Sequence, residues 1–112
     1  AREHGVPVIP GVATATELQR AANLGIDVVK LFPAALVGGP AMIRALSAVW
    51  PTVRFVPTGG ITPDTAPDYL ALAPVLAVGG SWMVSADALG ARDWAGVTRA
   101  ASEAVRIVET CR

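Results

Sequence analysis

Apolar residues gather in four short runs along this chain, at residues 6–10, 26–32, 53–57 and 75–78. Each run is rich in β-branched side chains and leads into a loop containing glycine or proline: Pro10-Gly11, Pro33-Ala34, Thr58-Gly59-Gly60 and Gly79-Gly80-Ser81. Continuous apolar runs, rather than strict alternation, predict strands buried on both faces, as in a parallel sheet. Between the runs the spacing becomes helical. Thr14-Ala15-Thr16-Glu17 has the form of a capping box and opens a helix over residues 17–24, with Gly25 as its stop. Pro40 suits a first helical position, and Met42, Ile43, Leu46 and Val49 supply the apolar stripe that follows. Thr62-Pro63-Asp64 starts a shorter helix carrying Tyr69 and Leu70. Asp93 caps a last one, in which Val97, Ala101, Ala104, Val105 and Val108 recur at helical spacing.

The predicted order is strand then helix, four times over, with a repeat of a little over twenty residues. Such alternation defines a parallel α/β sheet, either open and doubly wound or part of a (β/α)₈ barrel. Four units are half of a barrel, which takes about 250 residues. No Gly-x-Gly-x-x-Gly follows a strand, which weakens the dinucleotide-binding alternative. In both architectures the ligand site lies in the loops after the strand C-termini. That rule singles out Lys30, Thr58, Gly59, Gly60, Gly79, Gly80 and Ser81.

Composition narrows the classes. The chain has 112 residues and zero formal net charge, and is 53% hydrophobic and 16% charged, which fits a buried globular domain rather than a disordered tail. Its eight arginines are scattered and form no basic stripe, so nucleic acid is not an expected partner. No apolar run approaches the ~20 residues of a membrane span. A lone cysteine, Cys111, fits a reducing cytoplasm and is read as a bystander.

Lys30 is the only lysine, and it stands inside the apolar run Ile26-Asp27-Val28-Val29-Lys30-Leu31-Phe32. An ammonium among β-branched residues is unfavourable unless paired or deprotonated, and desolvated lysines are the usual imine formers. From the pattern alone, a nucleophile and a structural ion pair at this position are equally expected. The two Gly-Gly turns offer backbone N–H groups to an anion, with Ser81 adding a hydroxyl. Simple turn chemistry is the alternative, but two such turns about one repeat apart favour an anion site.

Ile9-Pro10-Gly11-Val12-Ala13-Thr14, Val29-Lys30-Leu31-Phe32-Pro33-Ala34, Pro57-Thr58-Gly59-Gly60-Ile61 and Val78-Gly79-Gly80-Ser81-Trp82 together resemble the 2-keto-3-deoxy-6-phosphogluconate aldolase / 4-hydroxy-2-oxoglutarate aldolase family, in order and in spacing. The resemblance implies a class I aldolase that needs neither metal nor cofactor. Its substrate would be a phosphorylated 2-keto acid, cleaved to pyruvate and glyceraldehyde 3-phosphate, in a cytoplasmic protein that is usually a trimer of (β/α)₈ barrels. It places Lys30 on the Schiff-base lysine, Phe32 beside the keto acid and Thr58 near the substrate hydroxyls. Gly59, Gly60, Gly80 and Ser81 fall on the phosphate cradle. Residues 1–112 would then form the C-terminal half-barrel, equivalent to strands 5–8. The family's general acid/base glutamate and its carboxylate-binding arginine would lie in the other half. Arg2-Glu3-His4-Gly5 reads like a helix end, in keeping with a C-terminal portion of a longer enzyme. Two alternatives share these features: a 2-keto-3-deoxy-6-phosphogalactonate aldolase, and a non-catalytic half-barrel that binds a sugar phosphate.

Overall fold

The computed structural model describes residues 2–111. A 3₁₀ turn at Arg2–His4 leads into β1 (Gly11–Val12), α1 (Ala15–Asn23), β2 (Val28–Leu31), α2 (Gly39–Val49) and β3 (Arg54–Phe55). Three further helices follow: α3 (Ala66–Leu70), α4 (Ala86–Gly90) and α5 (Trp94–Cys111). The strands are parallel in the order β1-β2-β3, with Gly11 and Val12 opposite Lys30 and Leu31, and Val28 and Val29 opposite Arg54 and Phe55.

The fourth apolar run does lie beside β3, but it is joined there only by isolated parallel bridges, Phe55 to Val75 and Thr58 to Gly79. The two bridges are three residues apart on the β3 side and four on the other, so the run at 75–78 carries one extra residue. Pro57 has no N–H to give at the intervening step, and the ladder slips there. The first run departs from expectation in another way. Residues 6–10 are not a strand; pairing begins at their end, where the Lys30 N–H donates to the Pro10 carbonyl at 2.8 Å. Val6, Val8 and Ile9 are more than half exposed, since no strand lies on their far side among the described residues.

The helix starts follow local chemistry. At α1 the Thr14 hydroxyl accepts from the Glu17 N–H at 3.2 Å, while Glu17 Oε2 accepts from the Ala13 and Thr14 N–H groups at 2.7 and 3.0 Å. At α5 the Asp93 carboxylate accepts from the Gly96 N–H at 2.8 Å. α3 begins a turn later than its Thr-Pro-Asp signal predicts. Thr62 and Thr65 close a turn on each other first, through reciprocal bonds from backbone N–H to side-chain oxygen. α4 was not foreseen; the Ser85 hydroxyl accepts from the Ala88 N–H and opens it.

The core gathers Leu18 and Ala21 of α1, Val29 and Leu31 of β2, Ile43 and Leu46 of α2, Phe55 of β3, and Tyr69 and Leu70 of α3. Burial alternates along β2: Val29 and Leu31 are wholly buried, whereas Val28 and Lys30 are only half-buried. Within the described residues, the strands are covered on one face only. The helices supply one cover, and the other face is open. Among the described residues, no helix is long and apolar enough to cross a membrane.

Candidate active site

The open face is built by the alternation of β2 and β3. Val28 and Lys30 stand on the side of β2 opposite the core, and register places Arg54 beside Val28. Phe32 lies two residues beyond Lys30, and the Lys30 ammonium sits 4.8 Å from the centre of its ring. That is within reach of a cation–π attraction, which also holds the amine at the strand's C-terminal end. Lys30 therefore stands at the carboxyl edge of a parallel sheet, half-exposed, rather than sealed inside an apolar interior.

The loop after β2 is tied to the first glycine turn. The Ala34 N–H donates to the Thr58 carbonyl at 2.8 Å, and the Ala35 N–H donates to that of Gly59 at 3.0 Å. Gly59 and Gly60 both have positive φ, +99° and +74°. A side chain at Gly59 would meet the Phe32 ring and the Pro33 backbone at 3.1–3.2 Å, and one at Gly60 would meet the Ala35 methyl at 2.7 Å. Glycine is thus required here by chain direction and by close approach at once. The second turn is drawn to the first through the Thr58–Gly79 bridge and the bond from the Gly79 N–H to the Pro57 carbonyl, 2.9 Å. The Thr58 side chain lies over Gly79, and the Trp82 ring fills the space beside Gly80.

The structure therefore joins Lys30, Phe32, Thr58, Gly59 and Gly79 by direct neighbour contacts along one edge. Gly60 is linked to the loop after β2, and Gly80 is covered by Trp82. Ser81 is exposed, and its carbonyl accepts from the Val84 N–H. Sequence reasoning did not identify the Ala34–Thr58 and Ala35–Gly59 bonds that set this edge. Backbone pairing between loops leaves no side-chain signature. It also did not assign Trp82 a role of its own, although the Trp82 indole N–H is buried without a partner.

Among the described residues, no group of three or more His, Cys, Asp or Glu gathers to hold a metal. No carboxylate stands on β1, β2, β3 or the run at 75–78. Glu17 is engaged at the α1 cap, and its carboxyl is held below the ordinary glutamate range. The bond from the Ala13 N–H is the first cause, and those from Thr14 reinforce it against a smaller effect of burial. Away from the open face, an apolar crevice of about 420 Å³ runs between α3, α5 and the run at 75–78, lined by Leu70, Ala77, Val78, Trp82, Ala104 and Val105. Apart from Glu109 its lining is apolar, unlike the edge around Lys30.

Parallel strands, helices on one face and reactive groups at the strand C-termini define an α/β protein of the type that carries its chemistry at the carboxyl edge of the sheet. The family model described as "Aldolase: KDPG and KHG aldolase" matches residues 1–100, and the chain belongs to that family. It is 52% identical over 105 residues to the 2-dehydro-3-deoxy-phosphogluconate aldolase of Treponema pallidum, covering 94% of this chain and 50% of the relative. The chain thus spans about half the length of the curated relatives it matches.

Among solved structures, the KDPG aldolase of Legionella pneumophila, with pyruvate captured at low pH as a covalent carbinolamine intermediate, superposes with a TM-score of 0.83. The two are 43% identical, over 86% of this chain and 47% of that one. The 2-keto-3-deoxy-6-phosphogluconate aldolase of Zymomonas mobilis ZM4 with 3-phosphoglycerate gives a TM-score of 0.86 at 43% identity, over 93% of this chain and 48% of that one.

Proposed function

We propose that the chain carries the Schiff-base half of an aldolase site, and that Lys30 is the nucleophile toward the C2 carbonyl of 2-keto-3-deoxy-6-phosphogluconate. The observation that carries this reading is the position of the only lysine: on the open face of β2, at the carboxyl edge, with its amine 4.8 Å from the Phe32 ring. The capture of pyruvate as a carbinolamine in the Legionella relative supports it. Residues 1–112 act as one unit, four βα repeats that form strands 5–8 of a (β/α)₈ barrel.

In this reading the Lys30 amine adds to C2, and loss of water gives an imine. When the C3–C4 bond breaks, its electron pair moves into the protonated imine, the C4 hydroxyl gives up its proton, and glyceraldehyde 3-phosphate leaves. The enamine takes a proton at C3, and water then releases pyruvate. Phe32 packs against the keto acid, and Thr58 lies near its hydroxyls. The glycine turns with Ser81 hold the phosphate through backbone donors. Binding of 3-phosphoglycerate by the Zymomonas relative supports a phosphate subsite. With no carboxylate on the open face, the proton shuttle is a group contributed from outside these strands. Its absence lowers each proton-transfer step by roughly 10²–10⁴-fold.

Reduction with borohydride in the presence of pyruvate, followed by peptide mass mapping, tests the assignment. A stable pyruvyl adduct on Lys30 is expected; an unmodified Lys30 in folded protein overturns it. The 112-residue chain alone should show little aldol cleavage. Full turnover would contradict the missing proton shuttle.

A further inference from the structure

We infer, on the reading of Lys30 as the nucleophile, that Gly59 positions its amine through the Phe32 ring. One edge of the ring is seated on the bare face of Gly59, and its π-face carries the amine. This glycine then serves the imine chemistry as a positioning residue, besides any part it has in the anion turn.

The segment that bears the ring is fixed at the backbone on two sides. The Phe32 N–H donates to the Val12 carbonyl at 3.0 Å, and the Ala34 N–H donates to the Thr58 carbonyl at 2.8 Å. Those bonds hold the Cα of Phe32 between β1 and the loop after β3. They do not decide where the ring lies, because Phe32 is half-exposed and has open space beside it.

Gly59 supplies the missing constraint. A methyl group there would stand 3.2 Å from two neighbouring ring atoms, Cδ2 and Cε2, and 3.1 Å from the Pro33 Cα. The space left by the absent side chain is therefore taken up by one edge of the ring. Over the ring's face the Lys30 ammonium lies 4.8 Å from the centre. A positive nitrogen is attracted to that face as an ammonium and again as a protonated imine, so one ring serves it before and after it bonds to C2.

The neighbouring glycine has a different surrounding. A methyl group at Gly60 would meet Ala35 alone, so the two glycines of one turn divide their work. Gly59 backs the support of the amine, and Gly60 backs the loop after β2. When Gly59→Ala forces something to give, Pro33 is held by its bonded neighbours while the ring can slide outward. The amine then loses its seat.

Pyruvate carries no phosphate, so its capture by borohydride reads the amine without the anion turn. Gly59→Ala should raise the pyruvate concentration for half-maximal trapping by about two- to fivefold, the worth of a half-exposed cation–π pair. Phe32→Leu should do likewise, and Phe32→Tyr, which keeps the ring, should match wild type. Gly59→Ala also strains a backbone whose φ is +99°, but that strain is the same in any background. Added to Phe32→Leu, it should therefore bring no further loss. An equal loss in both backgrounds assigns the effect to strain and overturns the inference.

A second readout needs no chemistry. Because Lys30 is the only lysine, isotope-labelled lysine gives one ε-methylene resonance. Ring-current shielding should move its protons upfield in wild type and in Phe32→Tyr, less in Gly59→Ala, and not at all in Phe32→Leu. Full shielding in Gly59→Ala that circular dichroism shows to be folded overturns the relay. Should that variant not fold, unchanged shielding and trapping in Phe32→Leu overturns it instead. Wild type with a shielded signal but no trapped pyruvate removes Lys30 as the nucleophile and leaves the contact. Trapped pyruvate without shielding does the reverse.

Discussion

On one face of β2, Val29 and Leu31 have no exposed surface and meet Leu18, Ile43 and Phe55; on the other, Val28 and Lys30 are half-open beside Phe32. The two faces are built from alternate residues of one four-residue strand, so their difference comes from what covers them and not from backbone structure. The packed face supplies the stability through apolar burial. The open face contributes little packing, and its residues are left to be chosen for chemistry. A single lysine is tolerable there because its amine keeps contact with water and with an aromatic ring.

The contrast can be broken most sharply by substituting neighbours. Leu31→Ala should destabilise the chain by about 2–5 kcal/mol in urea titration, through lost transfer energy and the cavity left behind. Lys30→Ala, one residue away, should change stability by no more than about 0.5 kcal/mol while abolishing the borohydride-trapped pyruvyl adduct. Comparable losses of stability in the two variants would show that the open face is covered in solution. At the junction of the two faces, Gly60→Val imposes positive φ on a β-branched residue and drives it into Ala35, which should destabilise by about 1–3 kcal/mol. It should also weaken phosphate-ester binding while imine formation at Lys30 persists in the folded fraction.

A local effect lies at the start of α1, just after β1. Thr14→Ala should lose about 1 kcal/mol with the α1 cap. Because the Glu17 carboxyl is held below its ordinary range, its contribution is present above that range and is lost as pH falls through the lowered value. Melting temperatures of wild type and Glu17→Gln should therefore converge on acidification.

Features fixed by nearest neighbours were legible in the sequence. The Thr14–Glu17 box, the Pro40 start of α2 and the Asp93 cap of α5 each depend on residues within four positions of one another, and each forms as read. Features fixed by partners distant in sequence were not. Residues 6–10 have the composition of a strand but no neighbour on their outer side. Residues 75–78 lie where a fourth strand belongs, yet Pro57, some twenty positions earlier, interrupts their ladder. Whether the second face of β2 is covered could not be read either, since apolar content does not say what lies over a strand. At the site, the motif order placed Lys30, Thr58 and the glycines on one edge. The occupancy of the space over Gly79 and Gly80 by Thr58 and Trp82 is set by side-chain packing that no local pattern encodes.

The bonds from Ala34 to Thr58 and from Ala35 to Gly59 have an entropic meaning. They tie the segment after the lysine strand to the glycine turn in the folded chain. A molecule spanning both meets a surface whose ordering entropy was already lost when the chain folded.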